Sequence, residues 1–394
     1  MANKNEGRKR PTLIHPTRMG ETPHLADLVS AAKADPKGFY EKSREAVEKG
    51  ELSLRTTNLP DFQRAFREVP IQVNETDEHG NSTRAVMASA FPLLTGLMMV
   101  KEIDEGLEEV TGIADQLVTD FEDKKKVTVI ARLLTQDTQV SRVDEGKDFP
   151  EIGASEEAYE VLSNRNGRKL SITQEMIDEN DVPNIVERVN KLVNLANSMI
   201  EEETLAAVCD TSSNGLRKRG AAAAALYSAS ANTPGTRVPS GNLVTGNALA
   251  STANLDTARA RLATFLDDRG ERAAIPFSKV VLLVPDALVG TASKLLNSEL
   301  EPGVENEINN WGPRGRWRPR LLSTPKLDDL STTTWFMGDF AGQFRRKWKI
   351  RFEPMTLGMD TQRFLDARIA YQARLAWDVG TNPIDYNRVV KCTA

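Results

Sequence analysis

The chain has 394 residues, enough for two or three domains at about 150 residues each, which excludes a peptide, a fibre or a collagen-like repeat. Apolar residues make up 40% and charged residues 27%, with 51 basic against 56 acidic, the profile of an ordered chain rather than a disordered one. A net charge of −5 argues against a general nucleic-acid binder.

Lys4, Arg8, Lys9 and Arg10 have no apolar segment behind them, so the N-terminus does not read as a secretory signal. The uncharged, largely apolar stretch Ala85 to Val100 is interrupted by Pro92 and Gly96 and falls short of the roughly 20 residues of a membrane span, so no membrane partner is expected. Two cysteines, Cys209 and Cys392, cannot build a disulfide framework, and a reducing compartment follows, with assembly or action in cytoplasm. Divided at 70 and 210, the chain carries +3 (13 basic, 10 acidic), −16 (13, 29) and +8 (25, 17). Such blocks either compensate within the chain or form a head-to-tail contact between copies, the kind that generates rings and lattices.

Residues 1–84 are polar and cut by prolines; short helices fit His24–Ala34 and Pro36–Lys49, and the segment reads as an arm. From Phe91 to Phe121, Leu94, Leu97, Met98, Ile103 and Leu107 fall near helical spacing. Val127, Val129, Ala131 and Leu133 alternate with other residues, as do Tyr159 and Val161, which predicts the two strands of a hairpin. Between and within them, Asp144, Glu145, Asp148, Glu151, Glu156, Glu157 and Glu160 face only Lys147, so the segment projects as a loop. Ser171–Asn180 suits a short helix. Asp181-Val182-Pro183 then opens a long one, whose face of Ile185, Val189, Leu192, Val193, Ala196, Met199 and Ile200 runs on to about Val208, a spine.

Residues 210–253 read as loop; Leu255–Leu266 as helix; Lys279–Pro285 as a strand buried on both faces, followed by a helix capped by Asp286. Arg314, Arg316, Arg318 and Arg320 alternate with Gly315, Trp317 and Pro319, so a strand there would carry four guanidiniums on one face, either a solvated edge, which Pro313 and Pro319 favour, or a contact for phosphate or an acidic partner. Trp348, Ile350 and Phe352 alternate, and every odd position from 365 to 379 is apolar, which predicts a long strand pair packed on the spine helix.

Chemistry is harder to find. His15, His24 and His79 all lie in the arm, away from any rigid scaffold, and no nucleophile, metal or phosphate-loop motif occurs, so neither an enzyme nor a cofactor is expected.

An arm, a projecting hairpin, a spine helix, an α/β region and a returning strand pair, in that order, resemble the major capsid protein of tailed bacteriophages, the Hong Kong 97 fold. Leu170-Ser171-Ile172-Thr173-Gln174-Glu175-Met176-Ile177-Asp178-Glu179-Asn180-Asp181 looks like that family's lead-in to the spine helix. Leu226-Tyr227-Ser228, Ser240-Gly241-Asn242-Leu243 and Leu255-Asp256-Thr257-Ala258-Arg259 resemble its later motifs, with Tyr227 and Ser240 departing from the usual Phe and His. The resemblance implies an α+β fold divided as a retained arm (1–84), an arm helix and first peripheral strand (85–134), an extended loop (135–170), a spine-helix region (171–210), an axial domain (211–344) and C-terminal peripheral strands (345–394). It implies a subunit of an icosahedral head shell, built as hexamers and pentamers of itself around double-stranded DNA contacted without sequence specificity. Portal, scaffolding or decoration proteins are further partners, and the virion is the location. A cellular nanocompartment shell of the same fold is the alternative, and a soluble α/β enzyme a more distant one.

Three residue sets carry these expectations. Asp144, Glu145, Asp148, Glu151, Glu156 and Glu157 of the acidic loop are expected to lie on a neighbouring copy's Arg345, Arg346, Lys347, Lys349 and Arg351. Ile185, Val189, Leu192 and Met199 pack the spine helix onto the last strands.

Overall fold

The computed structural model describes residues 70–76, 82–109, 112–135, 154–302, 307–357 and 368–394, with isolated positions between 45 and 63. Its longest element starts where the sequence signals it. The Asp181 carbonyl accepts from the Ile185 N–H at 3.2 Å and its carboxylate from the Asn184 amide at 3.0 Å. Pro183 sits in the first turn, where its missing N–H costs nothing. The spine helix then runs Val182–Cys209, 28 residues.

Helices are numbered α1 (Ala90–Glu109), α2 (Ala114–Leu117), α3 (Gln174–Asp178), the spine as α4, α5 (Thr252–Leu262), α6 (Asp286–Asn297), α7 (Pro325–Asp328) and α8 (Phe340–Gln343). The chain divides into two compact units, one of residues 1–110, 167–197 and 352–376, the other of 111–166, 198–351 and 377–394.

In the first unit, β1 (Pro70–Thr76) and β2 (Ser82–Ser89) form an antiparallel hairpin, Pro70 opposite Ser89, that leads straight into α1. The sequence had offered only a proline-cut arm there; the β-branched and aliphatic residues Ile71, Val73 and Val86 supply the strand preference. Farther upstream, Val47 and Leu54 are buried, and the Lys101 ammonium donates to the carbonyls of Val47 (2.6 Å) and Glu48 (3.0 Å). The helices expected at His24–Ala34 and Pro36–Lys49 fall largely outside the described residues. Met98, Met99 and Ile103 bury one side of α1.

The spine buries Ile185, Val189, Leu192, Val193 and Ala196 in this unit. Its close partner is α1: a Cβ at Gly106 would lie 3.3 Å from a Val193 methyl, so the missing side chain lets the two helices approach. Met199 is a correction, since it is 42% exposed, as Leu195 is at 59%. Seven residues past Leu192 the helix has drifted about 20° further from the buried face, enough to turn the methionine outward.

In the second unit, β8 (Val281–Pro285) is flanked by β10 (Trp335–Gly338), antiparallel, and β9 (Arg320–Thr324), parallel, in the sheet order β7-β13-β10-β8-β9. The outer β7 is Leu243–Val244 and β13 is Val389–Cys392. The C-terminal β13 therefore belongs with the α/β region, not with the preceding strands as the sequence division had it. A single core of Leu282, Leu283, Val284, Leu295, Trp311, Trp335, Phe336 and Phe340 lies around this sheet. α5 begins three residues before the expected Leu255 because the Ser251 N–H donates to the Asn254 side chain at 3.0 Å, which sets the first turn.

The loop from 210 to 253 holds no strand but β7, yet it is tightly tied. Asn242, fully buried, donates to the carbonyls of Leu226 and Tyr386 (both 2.9 Å) and accepts from Ser228 N–H at 2.9 Å. Gly241 before it has φ +75°, and a Cβ would meet the Ser228 carbonyl at 2.3 Å. The motif Ser240-Gly241-Asn242-Leu243 is thus a staple that joins the loop to the C-terminal segment.

Four further strands form a second sheet in the order β3-β11-β12-β6: β3 (Thr119–Glu122), β11 (Phe344–Leu357), β12 (Ile369–Pro383) and β6 (Asn164–Thr173). In β12, Ala373, Leu375, Trp377 and Val379 are buried and Arg374 is exposed, the expected period of two, but Ala376 and Asp378 are buried as well. A central strand is covered on both faces, and the alternation fades. Leu365 lies outside the described residues.

Leu192→Ala should lower stability by about 2–5 kcal/mol through the cavity it leaves, whereas Met199→Ala should change it by less than about 1 kcal/mol. Chemical denaturation of the two variants checks this; equal losses would mean that the exposed methionine is packed after all.

Candidate assembly surfaces

The predicted hairpin forms. β4 (Val127–Thr135) pairs antiparallel with β5 (Ala154–Leu162), Val127 opposite Leu162 and Thr135 opposite Ala154. Its side chains divide as a pleat requires, but the apolar set faces solvent: Val127 is 37%, Val129 40% and Leu133 63% exposed, with Ala131 between them. Opposite these stand Leu162, Glu160, Ala158 and Glu156. Among the described residues β4 is an edge strand with one neighbour, whereas β5 also pairs with 217–219, its Glu160 N–H donating to the Arg217 carbonyl.

The other side of the hairpin root carries charge into the interior. Arg237, 4% exposed, makes ion pairs with Glu157 (2.9 Å), Asp268 (3.0 Å) and the fully buried Asp385 (2.9 Å). Arg132 of β4 pairs with Asp268 at 3.0 Å and also with Asp385. Lys218 closes on Glu157 at 2.5 Å, and Arg388 on Asp385 (3.4 Å) and Asp339 (3.2 Å). Four cations and four carboxylates balance, so no buried charge is stranded. Burial pushes the Glu157 carboxyl up, but Lys218, Tyr159 and Arg237 outweigh it and hold its pKa below the usual range. The Lys218 ammonium and the Arg237 guanidinium both lie over the Tyr386 ring, at 5.0 and 4.6 Å from its centroid.

These pairs correct one expectation: Glu157 is committed to Lys218 and Arg237 of its own chain and does not offer its charge to a neighbour. Glu156 is exposed, and Asp144, Glu145, Asp148 and Glu151 lie outside the described residues.

The basic strand requires a larger correction. β3 runs parallel to β11 with Arg346 beside Asp120. The Arg346 guanidinium grips Asp120 with two bonds of 2.8 Å and also reaches Asp115. Burial would lower its pKa, but Asp120 and Asp115 raise it above the ordinary arginine value. Lys347 is fully buried and donates to the Lys125 carbonyl; desolvation lowers its pKa. Arg345 donates to the Ala341 carbonyl, Lys349 lies 3.6 Å from Asp378, and Arg351 2.7 Å from Glu122. Arg346 and Lys347 are therefore not a free face for an acidic loop, because Asp115 and Asp120 already neutralise Arg346 and Lys347 is buried against a backbone carbonyl.

Another expectation also changes. Arg314–Pro319 is not a strand, and β9 begins only at Arg320. Gly312 and Gly315 bend the chain so closely that a Cβ at Gly315 would meet the Asn310 carbonyl at 2.1 Å, and Pro313 and Pro319 cannot donate to a ladder.

Among the described residues no group of three or more His, Cys, Asp or Glu is placed to hold a metal, and no helix is long and apolar enough to cross a membrane. An open cleft of about 630 Å³ is lined by Glu122, Asp123, Lys124, Trp348, Lys349 and Arg351.

A family model described as phage capsid protein matches residues 159–392, well over half of the chain. The chain belongs to the phage capsid protein family. The capsid protein is accordingly a structural subunit of a virion shell and not an enzyme. No curated protein matches the sequence. Among solved structures, the capsid of an empty GTA particle is 11% identical, with 72% of this chain and 90% of that chain covered and a TM-score of 0.49. Gordonia phage Cozz is 14% identical over 71% and 85%, with a TM-score of 0.44. A virus-like particle from Pyrococcus furiosus is 10% identical over 75% and 97%, with a TM-score of 0.38.

Two measurements on the unassembled capsid protein follow. Arg346→Met should cost about 2–4 kcal/mol, below the roughly 3–5 of a fully buried pair because Asp115 and Asp120 still reach solvent, whereas Arg351→Met, in an exposed pair, should cost less than about 1. Similar melting of both variants would refute the asymmetry. Burial raises the Glu203 carboxyl to about 7. Between the ordinary carboxylate range and pH 7 the unfolded chain releases this proton while the folded chain keeps it, so stability falls as pH rises. Glu203→Gln should remove that loss, raising the melting temperature at pH 8 but not at pH 4; an unchanged difference between wild type and variant across that range would contradict it.

Proposed function

We propose that this capsid protein closes an icosahedral head shell by contacts among identical copies, arranged as hexamers and pentamers, around double-stranded DNA touched without sequence specificity. Assembly takes place in the host cytoplasm, and portal, scaffolding or decoration proteins are the natural further partners of such a shell. The observation that carries the reading is the exposed stripe of Val127, Val129, Ala131 and Leu133 on a hairpin rooted by a balanced ion cluster. A rigid apolar edge of this kind is what a subunit keeps for contact with another subunit. Charge plays the smaller part, since the strongest pairs are already made within the chain.

Negative-stain microscopy of the purified protein, with nuclease-treated particles assayed for nucleic acid, tests it. Closed shells holding DNA are expected in infected-cell preparations, and Leu133→Glu should abolish shells while leaving the melting temperature within about 1 °C. Shells filled with protein instead of DNA would point to a nanocompartment, and normal shells from Leu133→Glu would remove the hairpin from the contact.

A further inference from the structure

We infer that the paired turn arms 299–301 and 307–309 and the arginine loop 312–320 form one head-to-tail docking surface for a second copy of this chain. The inference rests on the shell reading and names a contact that the hairpin does not supply.

The turn and the loop are fastened to one another. Glu301 N–H donates to Glu307 (2.9 Å) and Asn309 N–H to Glu299 (3.0 Å), so the arms of the turn pair, with Leu300 opposite Ile308. The buried Asn309 amide holds the carbonyls of Leu295 and Ser298, and Trp317 N–H donates to Asn310 at 2.9 Å. The loop therefore stands beside the turn in fixed register.

At the surface the two halves differ in chemistry. The turn shows Leu300 at 54% and Ile308 at 70% exposed, flanked by Glu299 and Glu307. The loop shows Arg314, Arg316, Arg318 and Arg320, all exposed, and the Trp317 ring carries the Arg316 and Arg259 guanidiniums at 5.1 and 4.6 Å. Among the described residues, Arg314 alone of the four meets an acid of the turn arms, Glu299 at 3.6 Å, while Arg318 reaches Asn297. Among the described residues, Glu307, Arg316, Arg318 and Arg320 make no ion pair, and this acidic, apolar edge beside a basic loop fits the same surface displaced by one subunit, acid to base. Nucleic acid suits this surface less, because Glu299 and Glu307 would repel phosphate beside the arginines, and two exposed aliphatic side chains gain nothing from it.

Glu307→Lys, Arg316→Glu, Ile308→Asp and the double variant Glu307→Lys/Arg316→Glu decide the matter. Sedimentation velocity reads concentration-dependent association below shell size, alongside shell yield and melting temperature. Each single change should weaken association about tenfold, equivalent to ~1.4 kcal/mol, with melting unchanged, and the double variant should recover most of it. Wild-type association by all three single variants would overturn the inference, as would a double variant no better than its parents. Undiminished association of Arg316→Glu together with lost binding to a 30-base-pair duplex would assign the loop to DNA and overturn it too. Should wild type form no shells, the functional reading fails, while the sedimentation series still judges this surface.

Discussion

A charge taken out of water must find its opposite, and the second unit is arranged around that requirement. Asp385, wholly buried, is held by Arg237, Arg132 and Arg388, which come from a loop, a hairpin strand and the C-terminal segment. Each partner is then satisfied elsewhere, at Glu157, Asp268 or Asp339. Removing one member would leave an unpaired charge in the interior, a far larger penalty than the pair itself is worth. What the cluster provides is placement: the root of β4 and β5 is fixed in direction, so the far side of the hairpin is presented rather than left to wander.

The same economy explains the charge blocks. The acids of 115–122 meet the cations of β11 inside the chain, at a sequence distance of more than 200 residues. A capsid subunit gains from this arrangement, because a surface with its strongest charges already paired can associate through apolar contact, with the remaining charges choosing register and partner.

Periodic elements were legible in the sequence because their information is local. The spine helix, the β4–β5 hairpin and the strand and helix at 281–297 follow from repeats of 3.6 or two residues and from the start signal at Asp181; the expected cap at Asp286 does not form, since Pro285 takes the cap position and Asp286 lies in the first turn. The ion cluster was not legible, since Arg132, Glu157, Arg237, Asp268 and Asp385 are scattered over 250 residues and only the fold makes them neighbours. Alternation misled at Arg314–Arg320, where glycine and proline override the pattern. It misled in another way at Val127–Leu133, where the period was right but the apolar face looks outward, because a period specifies two faces and not which of them meets the core. The stretch 210–253 looked structureless by composition, yet Asn242 shows how one carboxamide can substitute for a ladder.

The exposed stripe on β4 also sets a limit on the free subunit. An edge strand with four consecutive outward apolar positions is a template for strand addition by any unfolded or misregistered chain. Glu156 and Glu160, across from Leu133 and Val129, act as gatekeepers: a second hairpin stacked in register would bring carboxylates together. Under the assembly proposed above, productive assembly and aggregation compete for one surface, and the concentration of unassembled subunit decides between them.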